Sequence, residues 1–278
     1  MTLIRLAVRC RPEQAELVLA ELAVLAPNGF EEERGGGYVE YAIYGAEGEL
    51  PELGELRAVA GDGLIEVTAT EVPDDWADRW QDFHRPLLVG GRVWVRPSWA
   101  EPRTGTIDVV IDPGRAFGTG AHATTRMCLK LLAELADGGV AEGPLLDLGT
   151  GSGVLAIAAA KLGWDPVAGC DHEDGSLQAA AGNAAANGVE LELLEVNLRE
   201  RLPELAPTVV ANLTAPLLRA VAAQLPASRN RLRLVCSGML EAEVEATAAA
   251  FASAGLQERV RLADAGWGAL YLADVDDG

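Results

Sequence analysis

The segment Pro144-Leu145-Leu146-Asp147-Leu148-Gly149-Thr150-Gly151-Ser152-Gly153-Val154-Leu155-Ala156-Ile157-Ala158 constrains the fold more than any other. A short apolar run, a glycine-rich turn closed by Ser152 and an Ala-rich periodic stretch predict a strand, a tight loop and a helix start. Gly149, Gly151 and Gly153 let the backbone turn sharply and approach a ligand, and the first helical N–H groups are expected to be free to donate. The G-x-G-x-G spacing alone equally suits an ordinary strand-to-helix connection. A second apolar run, Pro166-Val167-Ala168-Gly169-Cys170, follows one helix later. It ends in Asp171, about twenty residues beyond the loop, where an acid can accept from ribose hydroxyls.

Such a unit needs a core to sit in. With 278 residues, 49% of them apolar, the chain can form one large or two modest domains. No run reaches the roughly 18 apolar residues of a membrane span. Met1-Thr2-Leu3-Ile4-Arg5 leads into an alternating segment rather than a signal peptide, so a cytoplasmic protein without membrane contact is expected. Cys10, Cys128, Cys170 and Cys236 are widely spaced with no C-x-x-C pair, and His84, His122 and His172 are scattered. That pattern predicts reduced thiols and no metal site. The net charge of −20, from 42 acids and 22 bases, opposes direct nucleic-acid binding and suits a basic protein partner.

Residues 3 to 9 alternate, with Ile4, Leu6 and Val8 on one face of a strand. Pro12 opens a helix that stops at Pro27-Asn28-Gly29. A hairpin is predicted from Phe30–Arg34 through Gly35-Gly36-Gly37 into Tyr38–Tyr44, then a helix around 51–60 and a strand over Leu64–Ala69. This βαββαβ order suits a small α+β ferredoxin-like domain over 1–71. Residues 72–100 hold Trp76, Trp80, Trp94 and Trp99, four of the six tryptophans. The span 72–92 reads as a linker or hinge, and the aromatic side chains suit a core corner or, alternatively, ligand contact.

The remainder, 93–278, follows α/β grammar. Strands are expected at 107–111, 144–148, 166–170, 191–195, 208–212, 231–236, 257–263 and 268–273, most of them separated by Ala-rich helices. The expected architecture is a mostly parallel, doubly wound Rossmann-like sheet. Only Asp264-Ala265-Gly266 separates the last two strands, which demands a terminal antiparallel hairpin.

A seven-stranded sheet of this design resembles the class I S-adenosylmethionine-dependent methyltransferases. Three further stretches narrow the resemblance. Asp112-Pro113-Gly114-Arg115-Ala116-Phe117-Gly118-Thr119-Gly120-Ala121-His122-Ala123-Thr124-Thr125 is similar to the D-P-G-x-A-F-G-T-G-x-H-x-T-T signature of the PrmA family, the methyltransferases of ribosomal protein L11. Val210-Ala211-Asn212-Leu213 and Ser237-Gly238-Met239-Leu240 resemble the same family's V-A-N-(I/L) and S-G-(I/M)-L segments.

The resemblance covers nearly the whole chain. It implies S-adenosyl-L-methionine as cofactor, contacted by Thr125, Gly149, Asp171 and Asn212. Gly151 and Thr119 would border the cofactor, and Phe117 would be either an apolar wall for it or a packing residue. The implied substrate is ribosomal protein L11, methylated on lysines and its N-terminal amine. The small N-terminal domain would recognise that substrate, and a monomer is expected. Two positions depart from the family pattern: Asp171-His172-Glu173-Asp174 replaces D-(I/V)-D-P, and Thr208 replaces an aspartate.

Methyl transfer to an amine needs a neutral nitrogen, and with a lysine pKa near 10.4 only about one amine in a thousand is neutral near pH 7.4, worth ~4 kcal/mol of barrier. Asn212 is the expected catalytic residue, its amide oxygen accepting from the incoming amine, although the same asparagine can instead cap the helix near Pro216. His122 can be a cap, a core neighbour or a catalytic group. Three other classes compete. A nicotinamide-dependent oxidoreductase would want G-x-G-x-x-G spacing. A nucleic-acid amine methyltransferase would show an aromatic after Asn212, where Leu213-Thr214-Ala215 has none. A ribosome-binding module that keeps the cofactor site without catalysis is the third.

Overall fold

The computed structural model describes residues 3–15, 18, 31–46, 64–71, 85–112, 122–226 and 231–274. Most of the two helices expected over 12–26 and 51–60 lies outside them, as do Trp76 and Trp80. The chain divides into two compact units, Met1–Phe83 and His84–Gly278.

In the first unit β1 (Leu3–Cys10), β2 (Glu31–Gly35), β3 (Tyr38–Ala46) and β4 (Leu64–Glu71) form one sheet in the order β2-β3-β1-β4, antiparallel throughout. Strand alternation sends Leu6, Val8 and Cys10 into one apolar cluster with Val39, Tyr41 and Ile43, joined by Ala15 and Val18. On the opposite face Arg9 lies across from Glu40. The buried Glu40 carboxylate accepts from Arg5 at 2.7 Å and from Arg9. Burial alone would raise this carboxyl, but the two guanidinium hydrogen bonds outweigh it and hold the group below its ordinary range.

The second unit begins with a small sheet of β5 (Leu87–Val89), β6 (Val93–Arg96) and β7 (Ile107–Val110), with β5 antiparallel and β7 parallel to β6. Residues 87–92, assigned above to the linker, thus form a strand and turn. Leu87–Val89 folds back onto Val93–Val95 through Gly90-Gly91. Arg96 forks onto the Asp108 carboxylate at 2.7 and 2.8 Å, and Lys161 donates to the Asp108 carbonyl at 2.6 Å.

After α1 (Ala123–Asp137) come β8 (Leu145–Leu148), α2 (Val154–Leu162), β9 (Val167–Asp171), α3 (Asp174–Asn187), β10 (Glu192–Glu195), β11 (Thr208–Asn212), α4 (Ala215–Gln224), β12 (Arg233–Leu240), α5 (Val244–Ser253), β13 (Leu256–Asp264) and β14 (Trp267–Asp274). The seven strands lie in the order β10-β9-β8-β11-β12-β14-β13. β14 is antiparallel to both β12 and β13, so the expected terminal hairpin forms. Each face of the sheet packs its own core. Leu145, Val210 and Val235 face a cluster with α1 and α2, whereas Leu146, Leu148, Val209 and Ala211 face one with α4 and α5. α2 is short and Ala-rich because it lies in this core, with Val154 through Ala159 all buried.

Candidate active site

Strand order itself singles out one place. The chain moves outward from β8 to β9 and β10, then returns to the other side of β8 as β11. The connections leaving the carboxyl ends of β8 and β11 therefore diverge, which opens a crevice there. β8 ends at Leu148, just before Gly149, and β11 ends at Asn212. Two residues far apart in the sequence thus come to one crevice.

The loop after β8 is held from inside. The Gly149 and Thr150 N–H groups both donate to the Cys170 carbonyl, at 2.8 and 2.9 Å. The Gly151 N–H donates to Asp171 Oδ2 at 3.0 Å, and the Gly153 N–H to the Thr150 carbonyl at 2.8 Å. The Val154 N–H donates to Ser152 Oγ at 3.4 Å. The amides of the loop itself, and that of Val154 at the helix start, are in this way spent on the protein, because the loop closes on the end of β9. A diphosphate requires several free N–H groups at such a turn. This loop suits a cofactor without phosphates.

Two glycines fit the loops together. Gly149 sits at φ 73°, and a Cβ there would overlap Leu213 Cδ2. Gly238 sits at φ 92°, and a Cβ there would lie 2.7 Å from the Leu213 carbonyl carbon and 2.8 Å from its nitrogen. Leu213 is therefore wedged between the β8 loop and the end of β12, which fixes the residue before it.

Asp171, 9% exposed, closes β9. Besides the Gly151 amide it accepts the His172 and Glu173 amides on Oδ1, at 2.8 and 3.1 Å. Three backbone donors thus orient the carboxylate. His172 itself is exposed, with Nδ1 at 3.3 Å from Asp171 Oδ1 and Nε2 at 3.8 Å from Glu173 Oε1.

Asn212 does not cap a helix. The N-cap of α4 is Thr214, and the Asn212 amide instead donates from Nδ2 to Thr125 Oγ1 at 3.2 Å. Thr125 is buried in the first turn of α1. With Nδ2 committed, Oδ1 is left as the acceptor of that side chain. His122 is the N-cap of α1: its Nδ1 accepts from the Thr124 N–H at 3.4 Å and lies 2.8 Å from Thr124 Oγ1, while its ring meets Trp267 edge-on at 4.9 Å. The cap is part of what holds Thr125 in place.

Asp147 escaped the sequence reading. Its carboxyl is buried in β8, with Oδ2 accepting from the Thr150 hydroxyl at 2.9 Å and Oδ1 making no hydrogen bond. Burial raises this carboxyl to about 7, against the opposing pull of the Thr150 hydroxyl and the Ala156 amide. An acid inside an otherwise apolar strand, directly before a glycine loop, was the available signal. Phe117 and Thr119, with most of the 112–125 signature, lie outside the described residues. Among the described residues no three His, Cys, Asp or Glu side chains converge as a metal site, and no helix is long and apolar enough to cross a membrane.

A glycine loop on the central strand, an acid closing the next strand and an inserted antiparallel strand together define a Rossmann-like protein of the methyltransferase class. Residues 43–274 match the family model described as ribosomal protein L11 methyltransferase (PrmA). The chain is 38% identical over 231 residues to the ribosomal protein L11 methyltransferase of Pelotomaculum thermopropionicum, covering 80% of this chain and 73% of that one. It is 40% identical over 205 residues to the enzyme of the same name from Pseudomonas savastanoi pv. phaseolicola, covering 72% and 69%. The crystal structure of a ribosomal protein L11 methylase from Lactobacillus delbrueckii subsp. bulgaricus superposes with a TM-score of 0.61 at 28% identity, over 68% of this chain and 97% of that one. The chain belongs to the PrmA family of ribosomal protein L11 methyltransferases.

S-adenosyl-L-methionine is the cofactor that this membership brings with it, and the residues present fit it. Five amides between Gly149 and Val154 are spent on the protein rather than left for phosphate, Gly149 lets the loop close against Leu213, and Asp171 offers carboxylate oxygens at a strand end.

Proposed function

We propose that this chain transfers methyl groups from S-adenosyl-L-methionine to amines of ribosomal protein L11, on lysine side chains and at the N-terminus. The observation that carries the reading is Asn212, at the crevice with Nδ2 tied to Thr125 and Oδ1 left to accept. S-adenosyl-L-methionine supplies, when bound, a methyl group on a positively charged sulfur. Gly149, Gly151 and Asp171 would hold it along the β8 and β9 ends, with Thr125 and Asn212 on the reacting side and Phe117 and Thr119 bordering it.

Asn212 Oδ1 accepts an N–H of the incoming amine and so aims the nitrogen lone pair. A neutral amine offers both that N–H and the lone pair, so accepting from it does not use up the nucleophile. Correct aim supplies much of the acceleration by holding the reacting atoms in line. A crevice that excludes water lowers the amine pKa, which recovers part of the ~4 kcal/mol that a neutral lysine costs near neutrality. No dedicated strong base is then required.

The first unit is read as a ferredoxin-like recognition domain over 1–71, joined through the Trp-rich 72–92 segment to the methyltransferase domain at 93–278. Its support is the order β2-β3-β1-β4, in which a hairpin strand separates β1 from β2. A basic ribosomal protein suits a chain of net charge −20, which also opposes a direct grip on nucleic acid, and a cytoplasmic monomer goes with this reading.

The test is labelled S-adenosyl-L-methionine with purified ribosomal protein L11, followed by mapping of labelled peptides. Label on lysines and the N-terminus, lost in Asn212→Ala even at saturating cofactor, is the expected result. Label on another protein or on nucleic acid would overturn the substrate, and cofactor binding without any transfer would favour a non-catalytic module.

A further inference from the structure

We infer that Leu240 and Trp267 form the surface along which the methylene stem of a substrate lysine lies, so that this chain favours lysine side chains over an N-terminal amine. This rests on the reading of Asn212 as the residue that receives the amine. By simple alternation β12 would turn Leu240 to the same side as Cys236, into the core with α4 and α5. Its pairing with β14 instead slips between Ser237 and Met239, leaving Gly238 as an extra residue. Met239 thereby takes the inward place in that core, and Leu240 is re-aimed to the face that carries α1. There it lies directly opposite Trp267, which packs against the core shared with α1 and α2. Leu240 stays 41% exposed in that position.

A run of contacts joins this pair to Asn212. The Trp267 ring meets His122 edge-on, His122 caps α1, and Thr125 in the first turn of that helix accepts from Asn212. On the sheet itself Asn212 pairs with Ser237 in the β11–β12 ladder, and Leu240 ends the same strand as Ser237. Asn212, Leu240 and Trp267 thus share one face and one end of the sheet. Lysine lays its four-carbon stem along apolar surface while its nitrogen goes to a polar partner. An amine held at Asn212 Oδ1 has such a surface beside it on the β12 side. Acids rim that surface. Glu241 follows Leu240 and is exposed, Glu243 accepts the Leu240 amide at 3.0 Å, and Asp264 lies opposite Trp267 across the hairpin, paired with Arg126. That charge complements a lysine-bearing segment. The α-amine of an N-terminus has no stem and reaches Asn212 without using this surface.

The test is methyl transfer by the full chain to purified ribosomal protein L11, for the native protein, Leu240→Ser and Leu240→Met, with each labelled amine quantified by mass spectrometry. In Leu240→Ser the KM read at lysines is expected to rise about threefold to tenfold with kcat little changed, because a stem contact is made equally in the bound substrate and in the transition state. Transfer to the N-terminal amine should change by less than about twofold, and Leu240→Met, which restores an apolar surface of similar size, should bring the lysine KM back close to native. S-adenosylhomocysteine binding, followed by calorimetry, should be the same in all three proteins. An unchanged lysine KM in Leu240→Ser would overturn the proposal and leave the substrate reading intact. Equal loss at lysines and the N-terminus, or weakened S-adenosylhomocysteine binding, would also overturn it, by showing that Leu240 supports the site as a whole. Failure of the native protein to label any amine of ribosomal protein L11 would overturn the substrate reading and the proposal with it.

Discussion

The Asn212 amide donates to the Thr125 hydroxyl at 3.2 Å, across 87 residues of chain. One partner ends β11, the other lies in the first turn of α1. This bond decides which way the amide faces, and hence what its oxygen can do at the crevice.

Removing the bond should misaim Asn212 without emptying the crevice. Thr125→Val keeps the shape and loses the acceptor, and kcat on ribosomal protein L11 is expected to fall about tenfold to 100-fold. Thr125→Ser should retain most activity. Equal loss in both variants would show that packing of the threonine methyl, not the hydroxyl, matters. The comparison is made by single-turnover methyl transfer at saturating cofactor.

The two glycines around Leu213 should respond differently to the same substitution. Gly238→Ala pushes a Cβ into Leu213 backbone at positive φ, where nothing can yield, and is expected to cost about 3 kcal/mol or more. Gly149→Ala meets only the tip of the Leu213 side chain, which can turn away, so its cost should be nearer 1–2 kcal/mol. Urea unfolding midpoints of the two variants check the order; the reverse order would contradict the wedge described for Leu213.

Asp147 sets a pH dependence of stability. Its carboxyl titrates at about 7 in the folded protein against 3.8 in its ordinary state. Between those values the folded protein keeps a proton that the unfolded chain has released. Stability from this group is therefore fully present below about pH 4, declines as pH rises towards 7 and is then lost, a change on the order of 4 kcal/mol. Asp147→Asn should be more stabilising, or less destabilising, at pH 8 than at pH 5 in urea unfolding. A variant equally affected at both values would show that Asp147 does not titrate this way.

Glu40 acts in the opposite sense. Its folded-state carboxyl is depressed, so its contribution is present above the ordinary carboxylate range and disappears as pH falls through the folded-state value. Glu40→Ala leaves Arg5 and Arg9 without their shared partner and should cost about 1–2 kcal/mol at pH 7, since both arginines stay partly solvated. The penalty should shrink below pH 4, as followed by unfolding at pH 7 and pH 3.5.

The sequence by itself determined the family and most of the described elements, the strand over Leu87–Val89 excepted. Residues 144–158 fold as strand, loop and helix because their apolar periods change at the glycines, and Asp264-Ala265-Gly266 is too short for anything but a hairpin. Glycine spacing could not say where the loop amides point. They turn inward because β9 ends beside the loop and supplies acceptors at Cys170 and Asp171. The choice between a helix cap and an oriented amide at Asn212 was open for the same reason. It depends on Thr125, brought near only when β11 crosses back beside β8 and α1 packs on the sheet. Asp147 was hidden most completely, since a carboxyl becomes a near-neutral titrating group only when the fold takes water away from it. Local pattern sets what each segment becomes; partners distant in the chain set what each side chain can do.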